Sequence, residues 1–501
     1  MDNSVISYID KYGITEKARL FLMKEKRMYI GGLWVDASDG AMSDIIEPCT
    51  EGLLSRVPVG TDRDIDAAVC AAREAFEKGE WASSTPVYRE RMLNKLADLC
   101  EENLETLAQI EALDAGKAIS GCREVDIMGS IDLLRYMAGW ARNTEGSTRN
   151  VSAPGDNFMF TLKEPVGVVG AIVPWNWPFN MAMWKLCAPL AVGCTVVMKP
   201  AQITPLSLLY FAELCEQAGL PPGVVNIVTG KGTGCGNYLV AHPGINKVSF
   251  TGSTEVGKTV GKAAMSNLNH VTLELGGKSA MIAFEDADIQ RIVDATQQSI
   301  FFNTGQVCSA GSRLYVHTDI YEETIKAVSE RAATMKIGDT LDPETEMGPS
   351  ASAAQKATIT RYTELGLAEG ARLVTGGVPE DRQGYFVKPT VLADCNNSMT
   401  VVQEEIFGPT LTVIPFQTED EAVQLANDSI YALTASVFTR DLSRSHRMIR
   451  KLQAGTVWVN THDMIDSNCP FGGFKLSGIG KDMGPEQLDH FLETKAVWMA
   501  F

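Results

Sequence analysis

No stretch of about 18 consecutive apolar residues occurs anywhere in the 501-residue chain, so nothing predicts a membrane span. The first twenty residues, MDNSVISYIDKYGITEKARL, carry charges throughout and no apolar core of signal-peptide length, which predicts a cytoplasmic protein rather than an exported one. Basic clusters are missing too. A formal net charge of -18 excludes the sequence-independent grip on phosphates that nucleic-acid binding requires. The eleven cysteines run from Cys49 to Cys469 without a CxxC pair and without histidines at metal spacing. That pattern predicts free thiols in a reducing compartment, no disulfide framework and no metal site. There is no internal repeat and no low-complexity tract.

What is present is ordinary globular material: 45% hydrophobic and 21% charged residues, in a chain too long for one core. Two or three packed domains are expected. Residues 64 to about 140 read as long amphipathic helices, as in IDAAVCAAREAFEKG and RERMLNKLADLCEENLETLAQIEALDAG, closing on glycine. Short apolar strands then alternate with helical stretches (VGVVGAIV, TVVMK, PLSLLYFAELCEQAG, VVNIV, KVSFTG), which predicts a parallel sheet with crossover helices, a nucleotide-binding architecture. A second alternation follows Glu274 (AMIAF, IQRIVDATQQSIFF, RLYVHT, TLTVIPF, ASVFT, GTVWVN) and predicts a second α/β domain. The boundary falls near LELGGK, where Gly276 and Gly277 suit a tight turn between domains. The stretch YIDKYGITEKARLFLMKEK is amphipathic enough for a surface helix, docked on a neighbouring subunit.

Three segments carry candidate chemistry. GSTEVGKT, at 252 to 259, fits the phosphate-loop pattern and follows the strand KVSF. Gly252 and Ser253 at a helix N-terminus would equally make an anion site for the pyrophosphate of a dinucleotide, so the pattern gives a phosphate site and leaves the nucleotide open. FFNTGQVCSAG sets Cys308 among small residues where an electrophile could approach; the bland alternative is a buried cysteine acting as a small hydrophobe. A thiol nucleophile needs a base and an oxyanion donor. Glu274 in LELGGK and Asn176, between Trp175 and Trp177 in VPWNWPFNM, offer those two roles; alone, one would be a cap carboxylate and the other a turn residue.

VPWNWP, MKPAQ, FTGSTEVG, LELGGK, GQVC, EEIFGP and PFGGFKLSGIG stand in the order in which they occur in the aldehyde dehydrogenase superfamily, which the chain resembles from about residue 30 to its end. The resemblance implies an α/β fold with a Rossmann-type NAD-binding domain (1–140 and 161–274), an α/β catalytic domain (275–480) and a small β oligomerisation arm (141–160 and 487–501) that assembles a homo-oligomer, a dimer or, as a dimer of dimers, a homotetramer. It implies that Cys308 attacks an aldehyde, that the Asn176 amide and the Cys308 backbone N–H hold the oxyanion, and that hydride leaves for the nicotinamide. Glu274 then activates the water that hydrolyses the thioester. Lys185, in MWKLCAPLA, resembles a proton-relaying lysine; the alternative is an exposed helix lysine. Lys199 and Glu405 would hold the cofactor riboses, Gly252 and Ser253 the pyrophosphate, and Trp175 and Phe407 would lie on the cofactor side, Phe407 beside the nicotinamide.

Two departures from the family pattern stand out. Gln202 replaces a glutamate that pairs with the adenosine ribose, so NADP use beside NAD is expected. Asp482 in GKDMG replaces a glutamate, which leaves its role open. The substrate tunnel would be lined by Trp177, Met181, Trp184, Val307, Ser309, Ile465 and Phe471, which stand at the family's tunnel-lining positions. These are mostly large and apolar, which favours a small aromatic or apolar aldehyde. IDSNCPFGG resembles bacterial phenylacetaldehyde dehydrogenases and implies oxidation of phenylacetaldehyde to phenylacetate, as in aromatic-amine or styrene catabolism; the alternative is broad medium-chain aliphatic aldehyde oxidation. An Mg²⁺-dependent phosphate-loop NTPase would leave Cys308, VPWNWP and EEIFGP without work. A catalytically silent homologue should have lost Cys308, Glu274 or Asn176, and all three are present.

Overall fold

The computed structural model describes residues 1–377, 379 and 382–501. The expected first alternation forms five parallel strands in the spatial order Val225–Ile227, Thr195–Lys199, Val168–Ile172, Lys247–Thr251 and His270–Glu274. Their near-continuous apolar sequences suit strands buried on both faces, and TVVMK is buried throughout. Met28–Ile30 and Leu33–Val35 extend one edge antiparallel. Strand order reverses between Val168–Ile172 and Lys247–Thr251, the switch point where open α/β sheets leave a crevice beyond their carboxyl ends.

The helices expected before this sheet are Asp62–Glu77, Pro86–Glu102, Leu104–Ala115 and Met128–Trp140. Asp64 caps the first by accepting from the Thr61 N–H at 2.7 Å, and Gly116 ends the third in the left-handed conformation. The second alternation forms a seven-stranded sheet ordered Arg372–Thr375, Thr390–Ala393, Thr410–Phe416, Arg313–His317, Ala280–Ala283, Thr434–Phe438 and Thr456–Val459, parallel except for its first pair. Thr148–Arg149, Asn157–Pro165 and Leu492–Ala500 make a separate three-stranded sheet.

Three details depart from the expected divisions. Strand Asn157–Pro165 crosses the boundary placed at 160 to 161, because its pairing with Leu492–Ala500 runs unbroken from Asn157 to Pro165. Gly478–Ile479 pairs antiparallel with Leu273–Glu274, so the segment assigned to the second domain through residue 480 returns to the first sheet. The N-terminal surface helix is two helices, Asn3–Tyr12 and Glu16–Met23, broken at left-handed Gly13 (φ 72°). They dock on their own chain: Val5, Ile9, Phe21 and Leu22 are buried, and the Tyr8 hydroxyl lies 3.0 Å from Thr340 Oγ1.

Among the described residues all eleven cysteines are free, no group of three or more His, Cys, Asp or Glu could hold a metal ion, and no helix is long and apolar enough to cross a membrane.

Candidate active site

The sheet switch point delivers the first site residues. After strand Val168–Ile172 the chain reaches Trp175, Asn176 and Trp177, and helix Pro178–Val192 begins with proline at its first turn, where no N–H is needed. The buried Asn176 amide donates to the Gln306 carbonyl at 2.8 Å, and the Asn303 amide donates back to the Asn176 carbonyl at 3.1 Å. One Asn176 N–H thus anchors the Cys308 loop and the second is left for a ligand oxygen.

That loop is held in a conformation few sequences would choose. Asn303, Thr304 and Gly305 are all left-handed, with φ of 45°, 58° and 67°. A β-branched residue there is an outlier that only its surroundings can enforce. The Thr304 hydroxyl donates to the Gly348 carbonyl at 2.9 Å, and Gln306 bonds both Asn303 and Ala351. A Cβ on Gly305 would lie 2.2 Å from the Gly408 backbone. Gly276 and Gly277, between strand His270–Glu274 of the first sheet and Ala280–Ala283 of the second, serve the same end without positive φ. A Cβ on Gly277 would meet the Cys308 carbonyl at 2.4 Å, and one on Gly276 the Glu405 carboxylate at 2.1 Å.

Cys308 is partly exposed, whereas eight of the other cysteines are buried. Burial of its sulfur, then the negative fields of Asp463, Glu405 and Glu274, push the thiol up, while the Ser309 backbone N–H works the other way. The resting sulfur is a thiol and must lose its proton as it attacks. Glu274 ends strand His270–Glu274, buried, with neither carboxylate oxygen hydrogen-bonded. Burial and the charge of Asp482 hold its carboxyl well above the usual range, opposed by Lys185 and Lys481. A raised, unpartnered carboxyl is what a general base for water requires. Gly472 leaves room for it, because a Cβ there would lie 2.4 Å from Glu274 Oε1.

Lys185 is fully buried on helix Pro178–Val192 and ion-pairs with Asp482, so the exposed-lysine alternative is overturned. Asp482 has a defined place: its other oxygen accepts from Gln487 at 3.0 Å. The shorter aspartate still pairs because the lysine reaches it from a buried helix.

The cofactor candidates gather round the crevice. Buried Lys199 ends strand Thr195–Lys199, and its amine donates to the Pro200 carbonyl at 2.8 Å, leaving N–H groups for a ligand. Gln202, half-buried, donates to Ser43 at 3.2 Å and places no carboxylate there. Gly252 follows strand Lys247–Thr251, and Ser253 caps helix Thr254–Ser266. Glu405 accepts from the Gly277 N–H at 3.0 Å and, through burial, is pushed up to about 7. Phe407 is left-handed (φ 57°) and meets Trp175 edge-on at 5.2 Å.

The phosphate-loop alternative fails on backbone geometry. The helix begins at Thr254, so Gly257 and Lys258 lie within it rather than in a phosphate-wrapping loop, and exposed Lys258 pairs with Glu255 at 2.7 Å. What remains is a helix N-terminus at a sheet switch point, with Ser253 exposed there, a place where backbone N–H groups can meet an anion.

Of the expected tunnel residues, Met181, Trp184 and Phe471 are buried in one apolar cluster against which Trp177 and Cys308 pack. Trp184 meets Phe471 at 5.3 Å, while Val307 and Ser309 flank Cys308, both buried. Ile465 is 47% exposed and is not buried with the others. Sequence reasoning missed Phe302, tilted against Trp177 with ring centres 5.8 Å apart, and Lys117, whose amine sits 3.4 Å from the Trp177 ring centre and pairs with buried Asp126. The aromatic pair FF before NTGQVC was a signal for Phe302; nothing local marked Lys117. It also missed Asp463.

Residues 34–497 match the profile of the aldehyde dehydrogenase family. A solved aldehyde dehydrogenase from Bacillus cereus, in complex with NAD+, superposes with a TM-score of 0.96 at 46% identity, over 97% of this chain and 99% of that one. A phenylacetaldehyde dehydrogenase of Pseudomonas fluorescens is 44% identical over 95% of this chain and 96% of its own. A cytosolic 10-formyltetrahydrofolate dehydrogenase of Xenopus tropicalis is 42% identical over 99% of this chain, which spans 55% of that longer protein.

Proposed function

The chain belongs to the aldehyde dehydrogenase family, and from that premise we propose that it oxidises phenylacetaldehyde to phenylacetate with NAD or NADP, through a thioester on Cys308. The observation that carries the proposal is the juxtaposition of a thiol, an unpartnered buried carboxyl and a half-committed amide: Cys308, Glu274 and Asn176.

The residues fit a dinucleotide. Lys199 and Glu405 would hold its riboses, the N-terminus of helix Thr254–Ser266 with Ser253 its pyrophosphate, and Phe407 and Trp175 would flank the nicotinamide pocket. When bound, the cofactor supplies a hydride acceptor. Gln202, in place of a carboxylate that would repel a 2′-phosphate, supports use of NADP beside NAD.

The protein's own steps follow from the site. As Cys308 adds to the carbonyl carbon its S–H proton is lost to solvent, which keeps Glu274 free for the later step, and the oxygen takes negative charge facing the free Asn176 N–H. After oxidation the carbon is a thioester. Glu274 withdraws a proton from water as that water attacks it, the C–S bond breaks, and carboxylic acid leaves with the thiol restored. Buried Lys185 and Asp482 act on Glu274 through charge and fix how readily it gives that proton back.

The substrate assignment rests on the large apolar walls, Trp177, Trp184, Met181 and Phe471, and on similarity to a phenylacetaldehyde dehydrogenase. Medium-chain aliphatic aldehydes are the second reading, because the same walls accept an alkyl chain. A place in aromatic-amine or styrene catabolism follows from the first reading. Assembly into a tetramer is supported by the three-stranded sheet, which leaves Phe158, Leu162, Trp498 and Met499 exposed.

The test follows cofactor reduction with phenylacetaldehyde, hexanal and betaine aldehyde, each with NAD and NADP, in wild type and Cys308→Ala. Highest kcat/KM on phenylacetaldehyde, abolished in Cys308→Ala, is the expected result. Equal or better turnover of hexanal overturns the substrate, and full activity in Cys308→Ala overturns the mechanism.

A further inference from the structure

Behind Trp177 lies a buried charge pair that the chemistry above does not use. Helix Leu104–Ala115 stops at left-handed Gly116 (φ 75°), and the next residue, Lys117, is 2% exposed. Its amine ion-pairs with Asp126, which is fully buried and sits on a π-helical turn, Cys122–Ile127. Such a turn winds one extra residue and re-aims the side chains it carries, a device common at functional sites. The same amine stands over the Trp177 ring, 3.4 Å from its centre.

The backbone of Trp177 is fixed on both sides. Its carbonyl accepts from the Met181 N–H at 3.0 Å as helix Pro178–Val192 opens, and Asn176 before it is tied to the Cys308 loop. The helical layer that carries Lys117 grips the same helix start twice more: Glu111 accepts from the Phe179 N–H at 3.1 Å, and the Asn180 amide donates to the Ser130 hydroxyl at 3.2 Å. What remains free is the side-chain rotation of Trp177. The ring meets the Lys117 amine and Phe302, which is tilted 33° against it. Gly121 admits Phe302, because a Cβ there would lie 3.0 Å from the end of that ring. Trp177 keeps part of its surface open between buried Asn176 and Pro178, and it packs on the same apolar cluster as Cys308. As a stabiliser the pair is a poor choice, since a buried lysine and aspartate rarely outperform apolar residues of the same size. A cation shielded from solvent over an indole, however, is held strongly.

We propose that Lys117 is a positioning residue for substrate choice: braced by Asp126, its ammonium fixes the Trp177 ring and turns that wall into a rigid flat face. A flat face that does not swing suits a planar aromatic ring, whereas an alkyl chain, which adapts its own shape, gains little from it. The proposal rests on the dehydrogenase reading and deepens it, since it names the device by which the site prefers phenylacetaldehyde to an aliphatic aldehyde. Lys117 touches neither substrate nor reacting atoms; it acts through Trp177.

The test measures kcat and KM for phenylacetaldehyde and hexanal in wild type, Lys117→Arg, Lys117→Met/Asp126→Asn and Trp177→Leu. Lys117→Met alone would leave Asp126 an unpaired buried charge, so the two changes are made together. In that double variant the phenylacetaldehyde-to-hexanal ratio of kcat/KM is expected to fall about tenfold, through KM, with kcat for hexanal kept. Lys117→Arg, which still pairs with Asp126 and stacks on an indole, should hold the ratio within about twofold. Trp177→Leu leaves the charge pair intact and should lower the ratio as far, and adding the double change to it should lower the ratio no further. An unchanged ratio in the double variant overturns the proposal, and so does an equal loss for both aldehydes or a further loss on the Trp177→Leu background. If the double variant does not fold, an unchanged ratio in Trp177→Leu overturns it. A wild type that prefers hexanal overturns the substrate assignment, and the fall or constancy of the ratio still decides the role of Lys117. A wild type that oxidises neither aldehyde overturns the dehydrogenase reading and the proposal with it.

Discussion

The two sheets solve the same problem in different ways. The nucleotide side presents its groups from regular elements: Lys199 and Glu274 end strands, and Ser253 caps a helix. The nucleophile side presents its groups from strained backbone. Among the described residues, only Glu51 and Leu268 are left-handed without being glycine in residues 1–274, whereas Asn303, Thr304, Asp394, Phe407, Asn460, Asp463, Lys475 and Met483 are so beyond them. Five of these eight sit on the loops that carry Cys308, Asp463 and Phe407. The cofactor side needs only dipoles and strand ends in standard places, while the reacting side must aim a thiol, an amide and carboxyls at one atom, which ideal elements do not do.

The largest effect expected from a test of this contrast is at the buried charge pair that acts on Glu274. Lys185→Met strands Asp482 as an uncompensated buried carboxylate and should cost about 3–5 kcal/mol of unfolding free energy in denaturant melts. A loss under 1 kcal/mol, on the order of an exposed pair, would show that the pair is not buried in solution. Next, Gly305→Ala should cost about 1–3 kcal/mol and lower kcat, because the new methyl meets backbone at a left-handed position. Gly257→Ala, on the nucleotide side, meets only the Leu275 side chain and gains helix propensity, so it should stay within about 1 kcal/mol of wild type. The reverse ranking would break the comparison. Ser253→Ala should cost about 1 kcal/mol through the lost cap and raise KM for the cofactor without lowering kcat.

The smallest effect is a pH shift. Burial and surrounding carboxyls hold both Cys308 and Glu274 above their ordinary values, and both must be deprotonated to act, so kcat/KM should climb as pH rises. Asp463→Asn removes the largest charge acting on the thiol and should move that climb to lower pH. A profile that does not move would show that Asp463 does not act on the sulfur.

Most of the nucleotide side was legible in the sequence, because apolar runs, glycine stops and a Ser cap act locally. Strands such as TVVMK could only be buried, and they are. The reacting side was legible as motifs but not as geometry. The pair Gly276 and Gly277 read as a boundary turn, and it is also clearance for Glu405 and Cys308, a through-space demand no local pattern records. Lys185 could have been exposed until a partner nearly three hundred residues away proved to bury it. Asp463 sits in a segment that drew notice only for its likeness to other chains, and its place near Ser309 follows from anchors that lie far away in sequence.

The central claim is that turnover passes through an acyl group on Cys308 that Glu274 helps water to remove. Glu274→Gln, mixed with phenylacetaldehyde and NAD, should release one rapid equivalent of NADH per active site and then slow by about 10²–10⁴-fold, with intact-mass spectrometry finding one phenylacetyl group on the peptide carrying Cys308. Steady wild-type turnover in that variant, or an acyl group on any other residue, would contradict the account.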